Sequence, residues 1–173
     1  MDKYELYAGD SILTYSGHYL DVFNPDPACI CIEDIAHALA QIPRFGGHLI
    51  RPLSVAEHCM NVAYKVPVQL GLDALLHDAS EAYLMDIPSP IKRRLPDYKK
   101  LEENLTKVIN AKFGIAYPKP IEIKAADKVC LEEEHERYRV AQDKRSYPMS
   151  NTLAEKYFLR LFEIFSGEED CSG

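Results

Sequence analysis

No run of this sequence approaches the ~20 consecutive apolar residues that a membrane-spanning helix requires, so an integral helical membrane protein is not expected. Positive charge is also short: 20 Lys and Arg stand against 27 Asp and Glu, a formal net charge of −7. That balance argues against general affinity for a nucleic-acid polymer or an anionic membrane, where a basic surface supplies most of the attraction. A small anionic substrate stays open, because it needs only a local basic pocket. Cysteine spacing of the zinc-finger kind is absent as well. The five cysteines, Cys29, Cys31, Cys59, Cys130 and Cys171, are odd in number, and no signal-peptide pattern precedes them. They read as reduced thiols of a soluble, cytoplasmic protein, with Cys59 and Cys130 inside helical patterns as small buried apolar residues. Neither internal repeats nor a low-complexity linker divides the chain. Its 173 residues, 47% apolar, are expected to form one domain with a sizeable core.

What is present begins with strand-prone sequence. Ser11–Tyr15 and His18–Phe23 flank Ser16-Gly17, a two-residue turn signal, and Asn24-Pro25-Asp26-Pro27 follows. Residues 1–30 are therefore expected to carry a small N-terminal β-hairpin. Thereafter the helical period takes over, and the rest is expected to be all-α. Ile32, Ile35, Ala36, Leu39, Ala40 and Ile42 make an apolar stripe that ends at Pro43, and His37 within it reads as structural. Arg44-Phe45-Gly46-Gly47-His48 is expected to be a loop, since two glycines after a proline do not continue a helix; its arginine and histidine are candidates for substrate contact. Ser54 and Glu57 form a capping box, with Val55, Cys59, Val62, Ala63 and Val66 as the stripe of the helix they open and His58 near its edge. Pro88, Pro90 and Pro96 then break a connection that carries Lys92, Arg93 and Arg94. Further helices are expected over Asp97–Phe113, stopped by Gly114, from Ile121 or Ile123 to Tyr138, and over Leu153–Phe165. Beyond Leu131 the charge density predicts a solvated face, and residues 166–173 predict a flexible acidic tail.

One stretch organises the remainder: Leu75-Leu76-His77-Asp78-Ala79-Ser80-Glu81-Ala82-Tyr83-Leu84-Met85-Asp86. Read as helix at ~100° per residue, it puts His77 and Glu81 one turn apart on one face. Adjacent His77 and Asp78 diverge, so both reach one point only if it lies in the wedge beside a second helix. With His58 on an earlier helix and Asp127 on a later one, the chain offers two imidazoles and two carboxylates. Such a set can bind one divalent transition metal and leave positions open for water and substrate oxygens. Two adjacent ionisable residues among leucines are costly to bury without a partner of that kind.

The ordered set His58, His77-Asp78, Asp127 resembles the H…HD…D signature of the HD-domain metal-dependent phosphohydrolase superfamily. The strings Ser54-Val55-Ala56-Glu57-His58, Leu75-Leu76-His77-Asp78-Ala79-Ser80-Glu81-Ala82-Tyr83, Asp86-Ile87-Pro88-Ser89-Pro90-Ile91-Lys92 and Lys124-Ala125-Ala126-Asp127 are similar to its small nucleotide-cleaving branch. That branch holds the 5′-deoxynucleotidases and the short phage-type deoxynucleoside triphosphohydrolases. The resemblance spans about residues 40 to 130 and implies a compact HD-domain helical bundle. It implies that His58, His77, Asp78 and Asp127 hold one divalent ion: zinc, manganese, cobalt or iron.

The same resemblance matches Arg44, Glu81 and Asp86 to residues that serve catalysis, and Lys92 and Lys124 to basic residues facing phosphate oxygens. In phosphate-ester hydrolysis Glu81 would orient the attacking water and accept its proton, and Asp86 would protonate the leaving oxygen or fix a sugar hydroxyl. Arg44, Lys92 and Lys124 would offset phosphate charge, and Phe45 and Tyr15 would stack on a base or gate the site. The implied substrate is a phosphorylated small molecule, a (deoxy)nucleotide with one or three phosphates, and the branch implies a homo-oligomer. A two-metal HD hydrolase or an HD-type di-iron oxygenase needs further ligands, yet Asn61–Leu75 holds no histidine and only Asp73. A (p)ppGpp-type hydrolase shares the metal site in a larger helical domain. A non-catalytic helical metal-binding or interaction protein would tolerate loss of Glu81 or Arg44, and both are present.

Overall fold

The computed structural model describes residues 7–140 and 147–167. Three short strands open it: β1 (Tyr7–Ala8), β2 (Ser11–Leu13) and β3 (Tyr19–Asp21), antiparallel in the order β1-β2-β3, with Ile12 opposite Leu20. The expected hairpin is β2 with β3, but its connection is longer than Ser16-Gly17 alone. Strand pairing stops at Leu13, and the loop closes through the Thr14 N–H on the His18 carbonyl (2.8 Å) and the Gly17 N–H on the Thr14 carbonyl (3.0 Å). A third strand adds to it. The turn is pinned to the helical part by Asp34, whose buried carboxylate accepts from the Ser16 amide at 2.6 Å and the Ser16 hydroxyl at 2.9 Å.

Helices make up most of the rest. They are α1 (Ile32–Gln41), α2 (Val55–Ala63), α3 (Gly71–Leu75), α4 (Glu81–Leu84), α5 (Ser89–Lys92), α6 (Pro96–Phe113), α7 (Ile121–Glu134) and α8 (Asn151–Ser166). A π-helical turn, His135–Val140, continues α7. The apolar stripes read from the sequence face one core. Ile35 and Leu39 of α1, Met60 of α2, Leu75 of α3, Leu105 and Ile109 of α6, Ile123 of α7 and Phe158 of α8 are all fully buried or nearly so. Helices α1, α2 and α3 all pack on α8. At the α3 end, a Cβ on Gly71 would sit 2.5 Å from the Phe165 ring, so only glycine admits that approach. Gly114 ends α6 at φ 67°, the left-handed cap expected of it. The acidic tail from residue 168 onward, and with it Cys171, lies outside the described residues.

Two local expectations are corrected. Ser54 does cap α2, accepting from the Glu57 amide at 3.1 Å, but the Glu57 carboxylate does not return to Ser54. It accepts from the Met149 amide at 2.7 Å and so ties α2 to the segment before α8. The stretch from Leu75 to Asp86 is not one helix. From the end of α3 into α4 the chain runs through tight turns in which the amides of His77, Ala79, Glu81, Ala82 and Tyr83 bond to the carbonyls three residues back. Such winding takes about 3.0 residues per turn in place of 3.6. His77 and Glu81 are then no longer stacked one above the other, whereas Asp78 and Glu81, three apart, are.

Candidate metal centre

Each histidine is aimed by a bond on its far side. On α2, His58 is fully buried, and its Nδ1 lies 2.8 Å from Glu134 Oε1. In the turn after α3, His77 Nδ1 lies 2.7 Å from the Ala74 carbonyl oxygen. A carboxylate and a carbonyl only accept, so both rings carry their proton on Nδ1 and turn Nε2 toward the same space. Both Nε2 atoms are buried without a hydrogen-bond partner. Asp78 and Asp127 meet them there. Asp127 Oδ1 is 3.1 Å from His58 Nε2 and 3.9 Å from His77 Nε2. Asp78 Oδ2 is 3.1 Å from His77 Nε2 and 3.9 Å from His58 Nε2.

The two 3.1 Å separations suit neighbouring donors on a shared ion, and the two of 3.9 Å are wider. Donors bound at about 2.0–2.2 Å lie roughly 3.0–3.5 Å from their neighbours around it. The convergence of His77 with Asp78, adjacent in sequence, follows from the tight turns between α3 and α4. His58, His77 and Asp127 form one group that could hold a metal ion, and Cys59, His77 and Asp78 form another that shares His77 with it. Cys59 is the poorer donor. Its burial, together with the charges of Asp78 and Glu81, pushes its thiol well above the usual range, away from the thiolate a metal needs.

The electrostatics describe a site built for positive charge. Burial disfavours the His58 imidazolium, yet contact with Asp127 and Glu134 outweighs it and raises the pKa to about 9. Burial raises the Asp78 carboxyl, but His77 and Lys119 more than offset that and hold it well below the usual range. Asp127 is lowered too, because the His58 contact wins over its burial. Glu81 goes the other way. Its burial, with Asp78 and Asp86 as negative neighbours, pushes it up to about 10, and Oε2 is buried without a partner.

Arg44 approaches from the turn Arg44–Gly47, where Phe45 (φ 56°) and Gly46 (φ 59°) are left-handed. Its guanidinium is buried between Asp86 (NH1 to Oδ2, 3.6 Å) and Glu134 (Nε to Oε2, 3.6 Å), with the Phe45 ring 5.7 Å away. Two clefts meet at Asp78, Glu81 and Lys92. One, of about 380 Å³, is lined by Arg44, Phe45, Asp86, Pro88 and Asp127. The other, of about 440 Å³, is lined by His77, Tyr117, Lys119 and Lys124.

The structure thus brings His58, His77, Asp78, Asp127, Glu81, Asp86, Arg44, Phe45 and Lys92 to one place, with Lys124 exposed at the rim of the second cleft. Lys92 is partly committed: its Nζ lies 2.6 Å from Glu102 Oε1 and 3.7 Å from Glu81 Oε1. Tyr15 is corrected. It stacks on His37 at 3.8 Å, His37 pairs with Glu155 of α8 at 3.1 Å, and neither lines the clefts at Asp78.

Two residues were missed by sequence reasoning. Lys119 Nζ reaches Asp78 Oδ1 at 3.3 Å, and its only signal was a lysine fixed between Pro118 and Pro120. Glu134 is buried, contrary to the solvated face expected beyond Leu131. It lies in register with buried Ile123, Ala126 and Cys130, and that stripe was the available clue.

Fold and site together define a mostly helical protein in which two buried histidines meet two half-buried aspartates, and His58, His77 and Asp127 among them could hold a metal ion. The chain is 45% identical over 125 residues to the uncharacterized protein YfdR of Escherichia coli (strain K12), a match covering 71% of this chain and 69% of that protein. An uncharacterized protein of Rhodobacter capsulatus is 38% identical over 136 residues, covering 70% of this chain and 69% of its own. The chain belongs to the family of these proteins. No family model matches it.

Proposed function

We propose that the chain is an HD-type metal-dependent phosphohydrolase whose substrate is a (deoxy)nucleotide. The observation that carries this reading is the pair of buried Nε2 atoms of His58 and His77, without hydrogen-bond partners and facing two carboxylates where two clefts meet. Unpartnered buried polar atoms cost free energy, and a divalent cation would relieve that cost for both histidines while the two aspartates offset its charge. His58, His77, Asp78 and Asp127 would hold the ion, which would supply polarisation of a phosphoryl oxygen and acidification of water.

The chain's own groups do the rest. Arg44 and Lys92 border the space beside the aspartates and offset the charge on phosphate oxygens. Glu81 Oε2, buried and unpaired, is the atom that takes a proton from the attacking water; its burial and its negative neighbours Asp78 and Asp86 keep it protonated in the metal-free chain, and a cation held beside Asp78 would offset those neighbours and free it to accept. Asp86 is also raised, chiefly by burial against the opposing pull of Arg44, and it lines the same cleft, where it would protonate a leaving oxygen or fix a sugar hydroxyl. Phe45 and Pro88 form the apolar part of the same cleft, where a base would rest.

The test is a screen of deoxynucleoside mono- and triphosphates and the matching ribonucleotides with Mn²⁺, Co²⁺ or Zn²⁺, scored for orthophosphate, pyrophosphate and triphosphate release. Orthophosphate from the monophosphates alone identifies a 5′-nucleotidase, and inorganic triphosphate a triphosphohydrolase. No release from any nucleotide with metal in excess contradicts the nucleotide reading.

A further inference from the structure

Glu134 faces two groups at once. Its Oε1 accepts the bond from His58 Nδ1 at 2.8 Å, and its Oε2 lies 3.6 Å from Arg44 Nε. The second contact is slightly too long for a hydrogen bond, and both of its atoms are buried without any partner. Two unpaired buried atoms of opposite charge that face one another are costly as they stand, and a shift of a few tenths of an ångström closes them. On the other side of the guanidinium, NH1 lies 3.6 Å from Asp86 Oδ2. The guanidinium is suspended between two carboxylates with neither contact closed. Glu134 also follows Asp127 by seven residues on α7, so at ~100° per residue the two leave one helix on nearly the same face. One rigid element therefore carries a direct donor and the carboxylate that aims a second donor.

We propose that Glu134 is a positioning residue that couples an anion held by Arg44 to a cation held by His58, so that each tightens the binding of the other. This rests on the metal-binding reading given above. An anion on the outer guanidinium nitrogens takes over from Asp86 and lets Nε close on Glu134 Oε2. Glu134, anchored at both oxygens, then fixes the His58 ring with Nε2 toward the donor cluster. In the reverse direction, a cation on Nε2 makes the Nδ1–H a stronger donor and draws in Glu134, which leaves Oε2 set to receive Arg44. Linkage requires the two effects to be equal in size.

The experiment is a Co²⁺ titration of the full chain, read by visible absorption, with and without inorganic phosphate. Wild type is compared with Glu134→Gln, whose amide oxygen still accepts from His58 while its NH₂ cannot accept from Arg44 Nε. In wild type, phosphate is expected to tighten Co²⁺ binding about 5-fold or more. In Glu134→Gln that factor falls to near one, and Co²⁺ affinity without phosphate falls ~10-fold. An unchanged phosphate factor in Glu134→Gln overturns the coupling, because phosphate then acts by touching the ion directly, and leaves the metal reading standing. A wild type that binds no Co²⁺ overturns the metal reading and the coupling with it. Arg44→Lys, which keeps the charge and loses Nε, is the second variant should Glu134→Gln fail to fold. It too is expected to lose the phosphate factor, and an undiminished factor there overturns the proposal.

Discussion

Among the described residues, two places gather three potential metal donors within 4.8 Å of one another: His18, Cys31 and Asp34 between the β2–β3 loop and the start of α1, and, in the helical interior, His58, His77 and Asp127 with the overlapping group Cys59, His77 and Asp78. Proximity does not separate them, but hydrogen bonding does. In the first, the Ser16 hydroxyl sits in the middle, 2.7 Å from His18 Nδ1 and 2.9 Å from Asp34 Oδ2, and the Ser16 amide takes the other oxygen of Asp34. The donors satisfy one another through the chain, and the result locks a turn onto α1. In the second, the Nδ1 atoms are engaged and the Nε2 atoms are not. A cluster that answers its own polar needs is structural, and one left with a buried deficit is built for something brought from outside.

The largest effect that sharpens this contrast is expected in the interior. Replacing His77 by Ala should abolish both metal binding and nucleotide hydrolysis, because a cluster that loses one of four donors weakens as a whole. Full turnover in that variant would sink the assignment. Next comes Glu81→Gln, expected to keep the metal and lose turnover by ~10² or more, the scale of a positioned proton acceptor. Loss of metal content along with activity would instead make Glu81 a ligand.

The metal-free protein offers a pH test at the same residue. The folded-state pKa of Glu81 is raised from 4.5 to about 10, so between those limits the native chain holds a proton that the unfolded chain releases. Its contribution to stability is present below pH 4.5 and is lost as pH rises toward 10. Glu81→Gln cannot lose a proton. The metal-free variant should melt close to wild type at pH 4.5 and higher than wild type by several degrees at pH 8–9, on a scale of about 2–4 °C per kcal/mol for a chain of this size. A melting difference that does not change with pH would contradict it. The smallest effect belongs to the N-terminal cluster, where Ser16→Ala removes one hydrogen bond from buried Asp34 and should cost about 1 kcal/mol by chemical denaturation. Metal content should not change. A loss of bound metal in that variant would erase the distinction between the two places.

Much of the interior site was legible because its chemistry is written in residue type. Histidines and aspartates among leucines stand out, and the helical stripes around His58 and Asp127 located their elements. What was not legible depends on packing. The tight turns between α3 and α4 leave no mark in a sequence of good helix formers, yet they bring His77 and Asp78 to one point. Glu134 was hidden among neighbouring charges, since a run of Glu residues reads as solvated until one of them is seen to face a buried histidine. Glu57 looked like a local cap and proved to hold a distant amide. Tyr15, expected to stack on a base or gate the site, stacks on His37 instead. The N-terminal hairpin was visible from its turn residues, but not its third strand, whose two residues are too few to carry an alternation.

The most direct test of the central claim is the metal content of the full chain after loading with Zn²⁺ and exhaustive desalting, measured by mass spectrometry for wild type, His58→Ala and Cys31→Ser. One ion per chain is expected in wild type and in Cys31→Ser, and none in His58→Ala. An ion retained in His58→Ala and lost in Cys31→Ser would contradict it.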